Sequence, residues 1–299
     1  MSEKKELIPT SDGSLTLRLD SLGELYHNRA GAYLEAQINY ALPALDLLKS
    51  VNAKSCTVLD ACFGLGYNSL VFLQELLLAR AKGELAFLST VRIEAVDNDP
   101  LLKPLLKTIL LQPCFSALNE KLPSLDLLLE GGSATTITDP TTYISFALHT
   151  KDLRDYLREY LNGSKQSFDL IFHDAFAPKK ATELWTIDFF ALYLKSLSPS
   201  GSILTYSCAP AVRGALRSLG LNLFVTPALG AKPGGTLATR SEGLDNSALR
   251  AARLTADDEK KLAGSGKVPY RDPEFRLSAE QIKEARLVEQ RLLDDARSK

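Results

Sequence analysis

No stretch of the chain approaches the roughly twenty uncharged apolar residues that a membrane-crossing helix needs, so no membrane span is expected. The opening "MSEKKELIPTSDGS" is polar and lacks the apolar segment of a secretory leader, which makes the cytoplasm the expected location. Cysteine and histidine are scarce. Cys56, Cys62, Cys114 and Cys208 lie without paired spacing, and His27, His149 and His173 are equally dispersed. Neither a disulfide framework nor a zinc site is indicated, no metal is expected, and the thiols read as small buried side chains. Charge of one sign is lacking too: 35 basic against 36 acidic residues leave a net charge of −1, too little for the bulk of the protein to attract nucleic acid or an anionic membrane. Only a local basic face could do so. There is no internal repeat.

What is present is a chain of 299 residues, 45% hydrophobic, long enough for a large core in one domain or one domain with an appendage. Between Cys56 and Leu223, β-rich runs ("CTVLDAC", "VRIEAVD", "YISFAL", "FDLIFHD", "SILTYS") alternate with helix-like runs at 68–82, 152–161 and 186–197. Such alternation predicts crossover units, hence a largely parallel sheet with helices on both faces. Upstream, "GSLTLRLDSLGELYH" reads as a small hairpin extension and residues 33–50 as a helix covering the sheet. The segment 114–142 is mixed, and "EGGSATTITDPTT" within it reads as an exposed insertion. "SAEQIKEARLVEQRLLDDARSK" opens on a Ser-x-x-Gln capping pattern and carries Ile282, Ala285, Val288 and Leu292 at helical spacing, the mark of a helix that packs or dimerises. The expected division is an N-terminal hairpin and helix over 1–50, the central α/β domain over 51–245 and a helical tail over 246–299.

In "VLDACFGLGYNSL" an apolar strand runs into Asp60, the chain turns through Gly64 and Gly66, and a helix starts near Asn68. Such a turn brings backbone N–H groups and a helix N-terminus to the carboxyl edge of the sheet. A dinucleotide fingerprint needs a third glycine where Ser69 stands, and a plain strand-to-helix turn fits equally well. The next strand, "VRIEAVDNDP", ends in Asp97, placed to accept hydrogen bonds from both hydroxyls of a ribose. Asp99, two residues beyond and beside Pro100, competes for that role but reads more simply as a turn residue or cap. Asp152 precedes a helical run and can act as its N-cap while bordering the place where an adenine would lie. His149 and His173 read as strand-end residues satisfied by backbone, and "GSGK" at 264–267 as a loop, because Val268 stands where a phosphate loop requires Ser or Thr.

The remaining stretch is "FHDAFAPKKATELW". Asp174 follows an apolar strand at the crevice where such sheets hold ligands. A carboxylate there can orient an amine and offset the positive charge that grows on nitrogen during alkyl transfer, while Phe176 and Trp185 could stack on a flat ring. A helix cap with a proline-stabilised turn explains the aspartate equally well.

Taken in order, "DACFGLGYNSL", "EAVDNDP", "KDLRDYL", "FHDAFAPKKATELWT" and "LTYSCAPAVRGALRSLGL" resemble the methyltransferase domain of the MnmC type, from about Tyr26 to Thr239. That family makes 5-methylaminomethyl-2-thiouridine at the wobble position of certain tRNAs. The resemblance implies a class I, Rossmann-like methyltransferase fold: a seven-stranded, mostly parallel sheet, a small N-terminal β extension and a C-terminal helical tail. It implies S-adenosylmethionine as donor, with Phe63, Gly64, Gly66 and Asn68 in the donor-binding turn, Asp97 on the ribose, Asp152 near the adenine and Asp174 as the active-site aspartate. Tyr26, Gly31 and Glu35 in "ELYHNRAGAYLEAQ" are similar to the family's approach to the sheet, and Tyr26 and Glu35 join Phe176, Lys180 and Trp185 as substrate-side residues. "GAKPGGTLA" departs from the basic, methionine-containing segment of some members. No flavin-dependent oxidoreductase domain fits in the chain, which looks like a stand-alone methyltransferase, a separate enzyme supplying the aminomethyl precursor.

The implied reaction is in-line transfer of methyl to the primary amine of 5-aminomethyl-(2-thio)uridine, which requires proximity, desolvation and a neutral amine. The partner is tRNA at its anticodon region, and the wobble base must leave its stack to reach the site. Lys179 and Lys180 would supply the local basic face. Rival readings are an aminopropyltransferase or another small-molecule amine methyltransferase of the same fold, and a non-catalytic nucleotide-binding module. The first should carry a second acid soon after the active-strand aspartate, where this chain has "AFAPKK".

Overall fold

The computed structural model describes residues 5–19, 24–27, 29–100, 102–121, 134–139, 142–163, 166–241 and 249–298. Three short strands, β1 (Lys5–Pro9), β2 (Leu15–Leu19) and β3 (Glu24–Leu25), form an antiparallel sheet of their own. Nine further strands lie among the described residues: β4 (Ser55–Ala61), β5 (Thr90–Asp97), β6 (Ala134–Asp139), β7 (Thr142–Thr150), β8 (Phe168–His173), β9 (Leu197–Thr205), β10 (Asn222–Val225), β11 (Thr236–Thr239) and β12 (Ala252–Arg253). They make one sheet in the order β12-β10-β11-β9-β8-β4-β5-β7-β6.

The five central strands pair in parallel, and those toward both edges pair antiparallel. Seven strands, from β10 to β7, form the expected core, and one further strand is added at each edge. The outer strand β6 corrects the reading of "EGGSATTITDPTT" as an exposed insertion, since Ala134–Asp139 pairs along β7. An edge strand has only one neighbour and needs no continuous apolar run, so its polar sequence hid it.

The helices are α1 (Ala32–Ala36), α2 (Leu42–Ser50), α3 (Tyr67–Ala81), α4 (Lys103–Leu110), α5 (Ser116–Lys121), α6 (Leu153–Gly163), α7 (Ile187–Ser196), α8 (Pro210–Ser218), α9 (Ala256–Ala263) and α10 (Ala279–Arg297). Successive strand residues face opposite sides: in β4, Val58 joins the core beneath α1–α4, and Leu59 and Ala61 the core beneath α6–α8. Between α1 and α2 the chain widens into a π-helical turn, Gln37–Ala41. Pro43 follows, and its ring would crowd the carbonyl of Asn39 in a regular helix, so the wider turn relieves that contact. The bulge buries Asn39 and Tyr40 toward the sheet.

The tail helix α10 starts at the Ser278–Gln281 capping box that the sequence predicts. Of the four residues read as its packing face only Ile282 is buried, while Val288 and Leu292 are exposed. The helix docks through its first turns and through Arg286, which donates to the carbonyls of Val268 and Gly266. Those carbonyls belong to the "GSGK" region, a 3₁₀ turn over Ser265–Lys267 and not a phosphate loop. Among the described residues no helix is long and apolar enough to cross a membrane.

Candidate active site

The strand order reverses direction between β4 and β8, and the crevice beyond their carboxyl ends is where α/β sheets of this kind hold ligands. A cavity of about 560 Å³ opens there. One of its walls is the turn after β4. Cys62, Gly64 and Gly66 all have positive φ, at 65°, 56° and 81°. Glycine is required at 66, because a Cβ there would stand 2.5 Å from the Phe63 ring. Asp60 locks the turn from beneath: one carboxylate oxygen accepts the Ser69 N–H at 3.1 Å and its hydroxyl at 2.5 Å. Ser69 therefore has a structural reason to be serine where a dinucleotide fingerprint has glycine. Burial pushes Asp60 up to about 7 against the Ser69 bond.

Asp97, at the end of β5, accepts the Gly64 N–H at 2.8 Å on one oxygen and the Asp99 N–H at 2.9 Å on the other. Burial raises it above the ordinary carboxylate range against those two bonds. With Gly64 donating to Asp97 and Ser69 to Asp60, the turn presents a carboxylate to the cavity and commits two of the N–H groups that a pyrophosphate would need. Asp99 also lines the cavity. Asp152 accepts the Arg154 N–H at 2.8 Å, as a cap for α6, and its second oxygen pairs with the Arg154 guanidinium at 3.0 Å. Burial would raise Asp152, but the bonds and charge of Arg154 outweigh it and hold the carboxyl below its usual value. Cap and cavity wall are thus the same residue.

Asp174 stands at the floor of the cavity, at the switch point itself. Its main-chain N–H continues the β4–β8 ladder to the Ala61 carbonyl at 3.2 Å, and its carboxylate accepts the Asn68 side-chain amide at 2.8 Å. Burial pushes it up to about 6, with the Asn68 bond opposing and the nearby Glu35 carboxylate adding to the rise. Asn68 is itself buried and lies outside the cavity lining, so the structure brings it to Asp174 and not to the turn's open face.

The opposite wall holds Tyr26, Glu35, Phe176, Tyr206 and Lys232. Tyr26 and Phe176 meet edge to face at 5.2 Å. Glu35 is placed by α1, whose start is fixed by the first hairpin: Asp12 accepts the Leu34 N–H at 2.9 Å, and Ser14 Oγ accepts from Ala32 at 2.9 Å. The "Tyr … Gly … Glu" spacing has a physical basis there, since a Cβ on Gly31 would fall 1.9 Å from the Asp12 carboxylate. The π turn carries Tyr40 to the site, where its hydroxyl donates to the His173 carbonyl at 3.3 Å and accepts the Tyr206 N–H at 3.1 Å.

Trp185 departs from its expected role. It is fully buried, its indole N–H donates to the Phe176 carbonyl at 2.7 Å, and its ring packs against His173 at 4.4 Å. No face is left for a substrate base; it positions Phe176 instead. Trp185→Phe should therefore destabilise the fold by about 1–3 kcal/mol, through a lost bond and an unpaired carbonyl, measured by urea denaturation. Lys180 is exposed and outside the cavity lining, on the turn whose Ala177 and Ala181 do line it. The two strand-end histidines find side chains and not backbone. His173 Nδ1 meets the Tyr193 hydroxyl at 2.8 Å, and burial lowers the ring to about 3; His149 Nε2 meets Glu94 at 2.6 Å. Among the described residues no group of three or more His, Cys, Asp or Glu could hold a metal.

Residues 120–241 match the sequence model of a family described as S-adenosyl-L-methionine-dependent methyltransferases. An uncharacterized protein of Methanocaldococcus jannaschii, MJ0670, is 26% identical over 292 residues, covering 96% of this chain and 72% of its own length. The crystal structure of MnmC2 from Aquifex aeolicus superposes with a TM-score of 0.75 at 28% identity, covering 96% of this chain and 85% of that one.

Proposed function

Taking the chain as the S-adenosyl-L-methionine-dependent methyltransferase that these matches show, with an MnmC2-like architecture, we propose that it N-methylates the 5-aminomethyl group of (2-thio)uridine at the wobble position of tRNA. The observation that carries the reading is the placement of Asp174, at the junction of an acidic donor half and an aromatic half, with Glu35 beside it. The residues fit an adenosine donor without phosphate: Asp97 would take the ribose hydroxyls, Asp152 would border the adenine with Phe63 nearby, and Gly64 leaves the cavity open. A Cβ on Gly64 would stand 3.5 Å from the Tyr26 ring, between the two halves. S-adenosyl-L-methionine, when bound, supplies the electrophilic methyl group.

Asp174 then acts on the amine. As a carboxylate it accepts a hydrogen bond from the neutral nitrogen, aims its lone pair, and stabilises the ammonium as charge develops. Asn68 fixes the carboxylate plane and so is a positioning residue. Phe176 and Tyr26 would flank the flipped pyrimidine, offsetting part of its unstacking. A cytoplasmic setting and a separate source of the aminomethyl precursor belong to this reading. Mass spectrometry of nucleosides from tRNA incubated with protein and donor tests it: 5-methylaminomethyl-(2-thio)uridine should accumulate, and a tRNA left unmethylated, or methylated elsewhere, overturns it.

The exposed Lys179 and Lys180 flank the cavity through their turn. Reversing both to glutamate should lower kcat/KM for tRNA at low salt by roughly tenfold or more and flatten its salt dependence; unaltered kinetics would remove these lysines from the tRNA surface.

A further inference from the structure

Lys232 reaches the substrate half from a tight turn in which Leu229 and Lys232 exchange main-chain bonds at 3.2 and 3.1 Å. The stem of this loop is fixed with unusual closeness. Cβ atoms on Gly234 and Gly235 would fall 1.6 Å from the Thr226 carbonyl and 2.3 Å from the Thr205 carbonyl. Buried Arg213 donates to the Gly235 carbonyl at 3.2 Å and to Thr236 at 2.9 Å, and is itself paired to Asp258 at 2.7 Å. Asn39, in the π turn, accepts from Thr226 at 2.6 Å and from the Gly235 N–H at 3.3 Å. A loop pinned on two sides thus carries one cation to the cavity rim.

Among the described residues three cations line the cavity, and they differ in how they are held. Lys151 bonds Glu159 at 2.5 Å, and Arg154 grips Asp152 through two nitrogens. Among the described residues Lys232 has one ion-pair partner, Glu35 at 3.7 Å, too long for a hydrogen bond, and its side chain is 60% exposed while that of Glu35 is 14% exposed. A loosely held ammonium facing solvent can exchange partners, whereas the less exposed carboxylate beside Asp174 is held by its helix. The substrate half therefore offers two opposite charges at different depths: acids at the floor, where an amine would lie, and a cation at the rim.

We propose that Lys232 binds a backbone phosphate next to the target nucleotide, so that this residue positions a polynucleotide whose base amine reaches Asp174. The inference rests on the tRNA reading above. Gripping a phosphodiester would draw Lys232 away from its long contact to Glu35.

The test uses the full-length protein and compares wild type with Lys232→Met and Lys232→Arg. Two readouts are taken: tRNA binding in S-adenosylhomocysteine across a salt series, and steady-state methylation of tRNA. Lys232→Met should weaken binding about tenfold and raise KM by a similar factor, with kcat within about threefold. The slope of log affinity against log salt should become shallower by about 0.7–0.9, one phosphate's share, and Lys232→Arg should restore most of it. An unchanged slope and KM in Lys232→Met would overturn the proposal, as would a loss of kcat alone. A wild-type protein that binds tRNA with the Lys232-dependent slope but methylates none would overturn the substrate reading and leave the phosphate contact standing.

Discussion

Asp174→Asn is expected to lower the single-turnover rate of methylation by on the order of a hundredfold or more, with donor affinity unchanged. The amide retains an oxygen to accept the Asn68 bond, so the geometry survives while the charge that stabilises the forming ammonium is lost. A helix cap would behave otherwise, because asparagine caps about as well as aspartate. Burial holds Asp174 at about 6, so the wild-type rate should fall as pH drops through that value and the variant should lack this limb. Stability moves the other way. A carboxyl whose folded pKa is raised from 3.8 to about 6 favours the folded state most below pH 3.8, and that advantage is lost as pH rises to about 6. The variant, freed of that loss, should melt at or above the wild-type temperature at pH 7–8. Near-normal methylation, or a collapse of Tm, would sink the catalytic assignment.

The central strands were legible because both their faces are buried. "CTVLDAC", "VRIEAVD" and "FDLIFHD" are predominantly apolar toward their carboxyl ends, and an acidic residue at that boundary marks the crevice. Asp97 and Asp174 were found in this way, and both line the cavity. Local sequence also sufficed for the turn at Gly64 and Gly66 and for the capping box at Ser278. What remained hidden depends on contacts between distant parts of the chain. Tyr40, Tyr206 and Lys232 reach the site from elements that sequence spacing does not bring together, through a π turn, a strand end and a pinned loop. Direction was equally unreadable: Phe176 and Trp185 sit nine residues apart, yet one ring faces the cavity and the other props it from behind. Asn68 shows the same limit at closer range. Its place one step inside the helix after the glycine turn suggests a donor contact, but its amide points across to the β8 end.

Asp97→Ala is expected to weaken S-adenosylmethionine binding by roughly 10–150-fold, the loss of about 1.5–3 kcal/mol that follows removal of a charge-assisted acceptor. Part of this loss acts through the protein itself, because the Gly64 and Asp99 N–H groups lose their acceptor and the turn loosens. Asp97→Asn separates the two contributions. One amide oxygen can replace only one of the two accepted bonds, so its affinity should fall between wild type and alanine. Calorimetry with S-adenosylmethionine and with NAD on the same preparations decides the matter. Asp99 lines the same cavity, so a donor affinity that survives Asp97→Ala and collapses in Asp99→Ala would move the ribose contact two residues along the chain. Tighter binding of NAD than of S-adenosylmethionine by the wild type would contradict the geometry of the turn, since the Gly64 N–H that a pyrophosphate would need is already given to Asp97.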